Sequence, residues 1–198
     1  NGNFRPDDSG SRNEMAVIMA KLILGTYEAD SYVGNHPFTD VPDWASKYVA
    51  ACYNSGIIAG RTETTYDGNA TVTAVEAAAM MLRALGYEDL SKGAAQWDQP
   101  VAAKANEINL FVGLNGAGNA AMNRDGVAQL ALNTIQATMV TTVRTGQDIT
   151  LPDGTTISGT RRYDLRTTNY GWQDAIDDEG NGTYGYLQLG EYLYRGDL

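Results

Sequence analysis

Several residue types that common chemistries require are scarce in this sequence of 198 residues. There is one cysteine, Cys52, so no internal disulfide can form. The one histidine, His36, cannot supply a histidine metal cluster or a Ser-His-Asp hydrolase. Cys52 lies in a helical pattern, where we expect a small buried hydrophobic residue rather than a reactive thiol. The sequence therefore predicts no catalytic residues, no metal site, no cofactor and no enzyme activity.

Positive charge and long apolar runs are also scarce. Acidic residues outnumber basic ones by 24 to 14, which gives a net charge of -10. Because nucleic-acid binding needs clustered lysine and arginine, we expect no nucleic-acid partner. No apolar run reaches the length that a membrane span requires. The sequence opens at Asn1 rather than methionine, and we expect a processed or shortened form.

The chain repeats itself. Ser11 is followed three positions later by Glu14, and the same spacing recurs at Thr73 and Glu76, each time before an apolar helical pattern. A hydroxyl residue with glutamate three positions on forms a capping box, so we predict that helices begin there. A third copy begins at Asn123, but glycine replaces the glutamate.

A second pattern precedes two of these helix starts. Trp44 and Trp97 each open a helical pattern, and each is followed sixteen residues later by a glycine, Gly60 and Gly113. Such a helix–loop–helix unit is too small to bury its apolar face alone, so neighbouring units must pack together.

Taken together, these motifs resemble those of a known family. The segment FTDVPDWA at 38–45, then GIIAG at 56–60, an aromatic and a Thr-x-x-Glu helix start are similar to the S-layer homology repeat. The resemblance covers about residues 1–143 and implies a mainly α fold, with tandem helix–loop–helix repeats in a pseudo-threefold prism. It divides the chain into the second half of repeat 1 with a linker (1–35), repeat 2 (36–90), a degenerate repeat 3 (91–143) and a small β-containing C-terminal segment (144–198).

The resemblance also implies a function. Grooves between such repeats bind anionic secondary cell-wall polysaccharide, commonly with a pyruvate ketal, and so anchor an exported Gram-positive protein non-covalently at the cell wall or S-layer. Self-association is a second contact to expect. The ligand-binding residues carried over are Arg12, Glu14, Asp40, Trp44, Gly60, Arg61, Thr73, Glu76, Trp97, Gly113 and Arg124.

The chemistry of this set suits an acidic sugar. Arginine holds a carboxylate in a two-donor fork, and Arg12 and Arg124 stand at helix starts, where free backbone N–H groups favour an anion. We therefore expect both to point into grooves between repeats. The tryptophans could face a sugar ring or pack in the core, and Glu14 and Glu76 also serve as caps.

Two other functions stay open. Alanine replaces the second arginine at Ala74, and glycine replaces the third glutamate at Gly126, which favours a purely structural or self-assembling module. A wall-directed hydrolase would need a catalytic site in residues 144–198, where none is visible.

The C-terminal segment follows different patterns. Residues 149–157 predict a β-hairpin about a Pro-Asp-Gly turn. An acidic stretch at 174–179, a glycine-rich turn at 180–182 and a tyrosine-rich strand or short helix at 184–193 follow. The helix at 15–24 is apolar on nearly all sides, and we expect no tryptophan helix before it of the kind that precedes it in an intact repeat. We therefore expect the 184–193 tail to cover it, or else a second molecule.

Overall fold

The computed structural model describes residues 5–88, 90–91, 94–115, 118–147, 149–154, 156–157, 159–166 and 186–194. The predicted mainly helical fold with a small β component is confirmed. The helices are α1 (Arg12–Leu24), α2 (Thr26–Ser31), α3 (Asp43–Asn54), α4 (Ala74–Ala84), α5 (Asp98–Glu107), α6 (Arg124–Gln136) and α7 (Leu189–Tyr194). The strands are β1 (Val140–Thr145), β2 (Ile149–Thr150), β3 (Thr156–Ile157) and β4 (Thr160–Leu165).

The three predicted helix starts are confirmed. Ser11 caps α1 and Thr73 caps α4, and in both the glutamate three positions on completes the capping box. Asn123 caps α6 by accepting from the backbone N–H of Gly126, without a returning carboxylate. Two of the three helices therefore begin with reciprocal side-chain caps and the third with a single cap.

The backbones just before these helices bind one another in a closed cycle. Val72 N donates to Gly10 O at 3.0 Å, Gly10 N donates to Met122 O at 3.1 Å, and Met122 N donates to Val72 O at 2.9 Å. Each of the three residues precedes a helix cap. The cycle therefore fixes the N-termini of α1, α4 and α6 beside one another.

The tryptophan helices pack on the helix of the preceding unit. Helix α3 lies against α1, where the Cys52 thiol donates to the carbonyl of Ala16 at 3.4 Å, and α5 lies against α4. Burial raises the pKa of Cys52 to about 12, as expected of an unreactive core residue. The core formed in this way is rich in methionine and in alanine, whose small side chain lets the helices approach closely.

The C-terminal segment adds two small sheets. Strands β1 and β4 pair antiparallel, and Val140 N donates to Leu85 O, which ties the pair to the end of α4. Strands β2 and β3 also pair antiparallel, so the predicted hairpin at 149–157 is confirmed. Arg144 and Arg161 both contact Glu88, at 2.7 and 3.3 Å, and fasten the first sheet to the chain after α4.

The end of the tail forms α7, which packs against α6 and touches α1. The Tyr194 hydroxyl donates to Leu22 O, and Leu189 N donates to Ala137 O. The tail thus covers one end of α1, as predicted, but the main cover is α3. A tryptophan helix does cover α1, but it is α3, which belongs to the next unit along the chain and does not precede α1.

Some predicted features lie outside the described residues, namely the acidic stretch at 174–179, the turn at 180–182 and residues 184–185. Among the residues that are described, no helix is both long and apolar enough to cross a membrane.

Candidate ligand-binding site

The predicted ligand residue Arg12 lies in the interior, where only 5% of it is exposed. Its Nε donates to Tyr66 O at 3.1 Å, its Nη2 to Ala59 O at 3.3 Å, and its Nη1 to Glu76 Oε1 at 3.3 Å. The guanidinium also lies 4.7 Å from the centre of the Tyr66 ring. Arg12 therefore does not project into a groove as expected, because its fork is engaged by the loop between α3 and α4.

Glu76 is the centre of this arrangement. One carboxylate oxygen accepts from Thr73 N in the capping box, and the other contacts both Arg12 and Arg61, with an Arg61 Nη2 distance of 2.6 Å. A buried carboxylate is tolerated when it is paired with a cation and hydrogen-bonded, and Glu76 meets both conditions. We call Arg12, Arg61 and Glu76 the arginine cluster.

Arg61 is the exposed member of the arginine cluster. Its side chain is 44% exposed, and its Nε lies 3.9 Å from Asp67 Oδ2. Gly60 precedes it in a turn where an added Cβ would come within 2.3 Å of Thr62 O, so the loop requires glycine there. The loop thus presents one guanidinium edge to solvent above a buried ion pair.

Asp40 holds the same loop in place through hydrogen bonds to its backbone. Its carboxylate accepts from Tyr66 N at 2.8 Å and from Asp67 N at 2.7 Å. Partial desolvation acts to raise the pKa of Asp40, but these backbone donors outweigh it and lower the pKa. Asp40 is therefore a structural anchor of the loop that carries Arg61.

Sequence reasoning missed Tyr66 as part of this site. Its ring stacks on Phe38, its hydroxyl donates to Arg12 O at 2.9 Å, and burial raises its pKa. Among the repeat motifs, Tyr66 is the aromatic residue that precedes the helix start at Thr73. Its position shortly before the helix cap could have indicated that it belongs to the site. The cation–π contact with Arg12, however, depends on the packing of two units and cannot be read from the sequence.

A second predicted set meets where α6 adjoins α1. Arg124 Nη1 lies 3.2 Å from Glu14 Oε1, and both side chains are partly exposed. The N–H of Ser11 is the main cause of the lowered pKa of Glu14. Beside this pair lies a pocket of about 470 Å³, which we call the α6–α1 groove. Its lining residues are Gly10, Ser11, Glu14, Met15, Val17, Ile18, Trp44, Val72, Arg124, Val127, Ala128 and Ala131.

The third junction, between α4 and α6, has no such charge pair. In the other two, an arginine at the first position of one helix meets a glutamate at the third position of the next. The corresponding residues here are Ala74 and Gly126. The two departures noted in the sequence are thus the two missing halves of a single pair.

The remaining predicted residues lie apart from the arginine cluster. Trp97 is partly exposed at the start of α5, and Gly113 lies in the loop after it with a φ of 79°. Asn133 donates to Leu110 O and Val112 O in that loop, while Arg83 donates to Ile57 O in the equivalent loop after α3. The two loops are therefore held in the same way. Among the described residues, however, the arginine cluster lies at the loop after α3 and has no counterpart at the loop after α5. Within the described residues, no group of histidine, cysteine or acidic side chains is arranged to hold a metal ion.

Part of the arginine cluster lies in a stretch that matches a known domain family. The family model described as "S-layer homology domain" matches residues 37–78, which include Asp40, Gly60, Arg61, Thr73 and Glu76. The chain therefore contains an S-layer homology domain.

Relatives extend the similarity beyond that domain. The chain is 28% identical over 151 residues to "Middle cell wall protein" of Brevibacillus brevis, covering 75% of this chain and 14% of that protein. It is 27% identical over 153 residues to "Surface layer protein" of Brevibacillus choshinensis, covering 76% and 13%. An "Endoglucanase" of a Bacillus species is 37% identical over 84 residues, which are 42% of this chain and 8% of the enzyme.

The chain spans about one seventh of the length of the first two relatives. The S-layer homology domain and the surface-protein relatives indicate an extracellular location at the cell wall or S-layer. They support a general role in cell-wall anchoring.

Proposed function

We propose that this chain anchors an exported protein to the bacterial cell wall by binding an anionic, pyruvylated secondary cell-wall polysaccharide at the arginine cluster. The observation that carries the proposal is the half-exposed Arg61 above the buried Arg12–Glu76 pair, within the stretch that matches the S-layer homology domain.

The local charge suits an acidic ligand despite the net charge of the chain. Two guanidinium groups share one buried carboxylate, so the arginine cluster carries a surplus positive charge. A ketal carboxylate can compete with Asp67, 3.9 Å from Arg61, for the exposed edge of the fork. Arg61 would therefore contact the sugar, and Arg12 would hold Glu76 and the loop in position.

The proposal includes an arrangement of the whole module. We infer that residues 1–35, 36–90 and 91–143 are three related units in a pseudo-threefold prism, with the described part of residues 144–198 packed against them. The closed cycle of hydrogen bonds among Gly10, Val72 and Met122 supports this arrangement, since each bond repeats the relation of one unit to the next.

Our proposal for the sugar does not extend to Glu14, Trp44 and Arg124, because the α6–α1 groove beside them is lined mainly by apolar side chains. Trp97 and Gly113 stay predictions that rest on their repeat positions.

The test is co-sedimentation with purified Gram-positive sacculi, before and after chemical removal of the secondary polysaccharide. We expect Arg61→Ala to weaken binding by roughly ten- to a hundredfold, the equivalent of about 1.5–3 kcal/mol for a charged hydrogen bond. Arg162→Ala is the matched control, because Arg162 lies on β4 and pairs with Asp164. Equal binding by Arg61→Ala and the control would refute the assignment of Arg61.

A second candidate function is a structural or self-assembling module without its own sugar site. The absence of the charge pair at Ala74 and Gly126 favours it, because the α4–α6 junction lacks the arginine–glutamate pair that the other two junctions carry. Wild-type protein that sediments equally with untreated and polysaccharide-free sacculi, or with neither, would favour this function.

A further inference from the structure

The two outer edges of the β1–β4 sheet differ in what lies beside them. The β1 edge runs along the chain after α4, where Val140 N donates to Leu85 O at 2.8 Å. Thr142 Oγ1 donates to Gly86 O at 3.0 Å on the same edge. A Cβ at Gly86 would come within 2.2 Å of Val140 O, so the two backbones are in direct contact. The chain after α4 therefore covers the β1 edge at these residues.

The β4 edge has no such neighbour among the described residues. Arg166 N donates to Met139 O, which continues the register of the sheet and shows which backbone groups of β4 point toward β1. Because this direction alternates along a strand, Arg161, Tyr163 and Leu165 direct their N–H and C=O groups away from β1. Within the described part of the chain, none of these groups has a hydrogen-bond partner. Such a row of unpaired groups is a template for a further strand.

The side chains of β4 divide into an inner and an outer face. Arg161 and Tyr163 point toward the body of the protein, where they contact the chain after α4. Arg162 and Asp164 lie on the opposite face with side chains 70% and 46% exposed, and they pair with each other at 2.7 Å. The exposed face of this unpaired strand therefore carries one basic and one acidic side chain, two residues apart.

We propose that β4 pairs with β4 of a second copy of this chain, antiparallel and about a two-fold axis that passes beside Tyr163. In this register Tyr163 faces Tyr163 of the partner subunit, and Arg161 faces Leu165 of the partner subunit. The unpaired N–H and C=O groups of the edge thereby gain partners. Arg162 lies directly opposite Asp164 of the partner subunit, at a position where cross-strand side chains come closest. One sheet then runs through both copies in the order β1, β4, β4, β1.

The charges of β4 favour this register over its neighbours. A slip that centres the pair on Arg162 sets the two copies' arginines against each other, and a slip that centres it on Asp164 does the same with the aspartates. Of these three registers, the one about Tyr163 places opposite charges across the contact. The strand is thus complementary to itself, as a two-fold contact requires, and this property argues for a second copy as the occupant. The inference does not depend on the sugar site.

Sedimentation velocity of the 198-residue protein over a wide concentration range tests the pairing. We expect a monomer–dimer equilibrium for the wild type. Arg162→Asp and Asp164→Arg should each weaken the dimer by roughly tenfold or more, because each sets like charges opposite each other twice in the contact. An equimolar mixture of the two variants should restore dimerisation, since opposite charges then face each other across the heterodimer.

Two further variants serve as controls. Arg5→Asp reverses the charge of another exposed arginine that pairs with an aspartate, Asp8, and should leave the dimer unchanged. Arg162→Ala removes an attraction without bringing like charges together. Because exposed ion pairs contribute little, its dimer should be nearly as stable as that of the wild type. Circular dichroism verifies that each variant is folded.

Three results would overturn the proposal. A wild type that stays monomeric up to its highest soluble concentration excludes the second copy as the occupant of the edge. A dimer that persists in both charge-reversal variants lies on another surface. Folded variants that lose the dimer but do not regain it when mixed, or an equal loss in Arg5→Asp, would show that the charges of β4 do not meet across the contact.

Discussion

The α1–α4 and α6–α1 junctions are built from the same arginine–glutamate pair, yet they differ in burial. At the first, Arg12 and Glu76 are both buried and Arg61 joins them. At the second, Arg124 and Glu14 remain partly exposed beside an open groove. The difference lies in what surrounds the pair: the loop after α3 closes over the first, and no described segment closes over the second. One motif therefore yields a buried structural network in one place and a surface ion pair in another.

The largest expected loss of stability comes from breaking the buried pair. Arg12→Ala leaves Glu76 buried without its Arg12 contact, and removing one partner of a buried ion pair costs about 3–5 kcal/mol. Arg124→Ala should cost only about 0.2–1 kcal/mol, because that pair is partly exposed. Urea unfolding of both variants measures the difference. Equal losses of stability would show that the two junctions are energetically alike.

A smaller effect comes from installing the missing pair at the α4–α6 junction. Ala74 is buried, so Ala74→Arg alone should destabilise the protein by about 1–3 kcal/mol through overpacking. Adding Gly126→Glu should recover part of that loss, because a paired site typically couples by about 0.5–3 kcal/mol. A double-mutant cycle in urea gives the coupling energy. A coupling of zero would show that these two positions do not face each other as their counterparts do.

Next in size is the loss of a helix cap. Thr73→Ala should cost about 1 kcal/mol, and more than Asn123→Ala, because the Thr73 box also positions the carboxylate that binds two arginines. Thermal or urea unfolding of the two variants provides the comparison. If Asn123→Ala is the more damaging change, the caps are independent of the arginine cluster.

The smallest effect is on the dependence of stability on pH. The fold lowers the pKa of Asp40, so its contribution is complete above the unfolded-state pKa of roughly 4 and is lost as the pH falls through the lower folded value. The urea midpoint of the wild type should therefore fall as the pH is lowered below about 4. Asp40→Asn should show a smaller fall. Superimposable pH profiles would mean that the loop bonds of Asp40 do not stabilise the fold.

Local patterns in the sequence determined the helix starts. Ser11, Thr73 and Asn123 cap helices because a side-chain oxygen and its target N–H lie within three residues of each other, so the chemistry of the cap is local. The hairpin at 149–157 followed from its turn residues for the same reason. The family resemblance was equally readable, since it rests on an ordered series of short motifs.

Tertiary structure alone decided what those elements do to one another. The sequence places α3 before α4, yet α3 packs on α1, so the cover of the first helix could not be found by pairing neighbours along the chain. Arg12 has the position expected of a ligand residue, but it is buried because Ala59, Tyr66 and Glu76, 47 to 64 residues away, converge on its fork. Burial depends on contacts between distant segments, and a repeat motif that fixes each local turn carries no information about which copy will be covered.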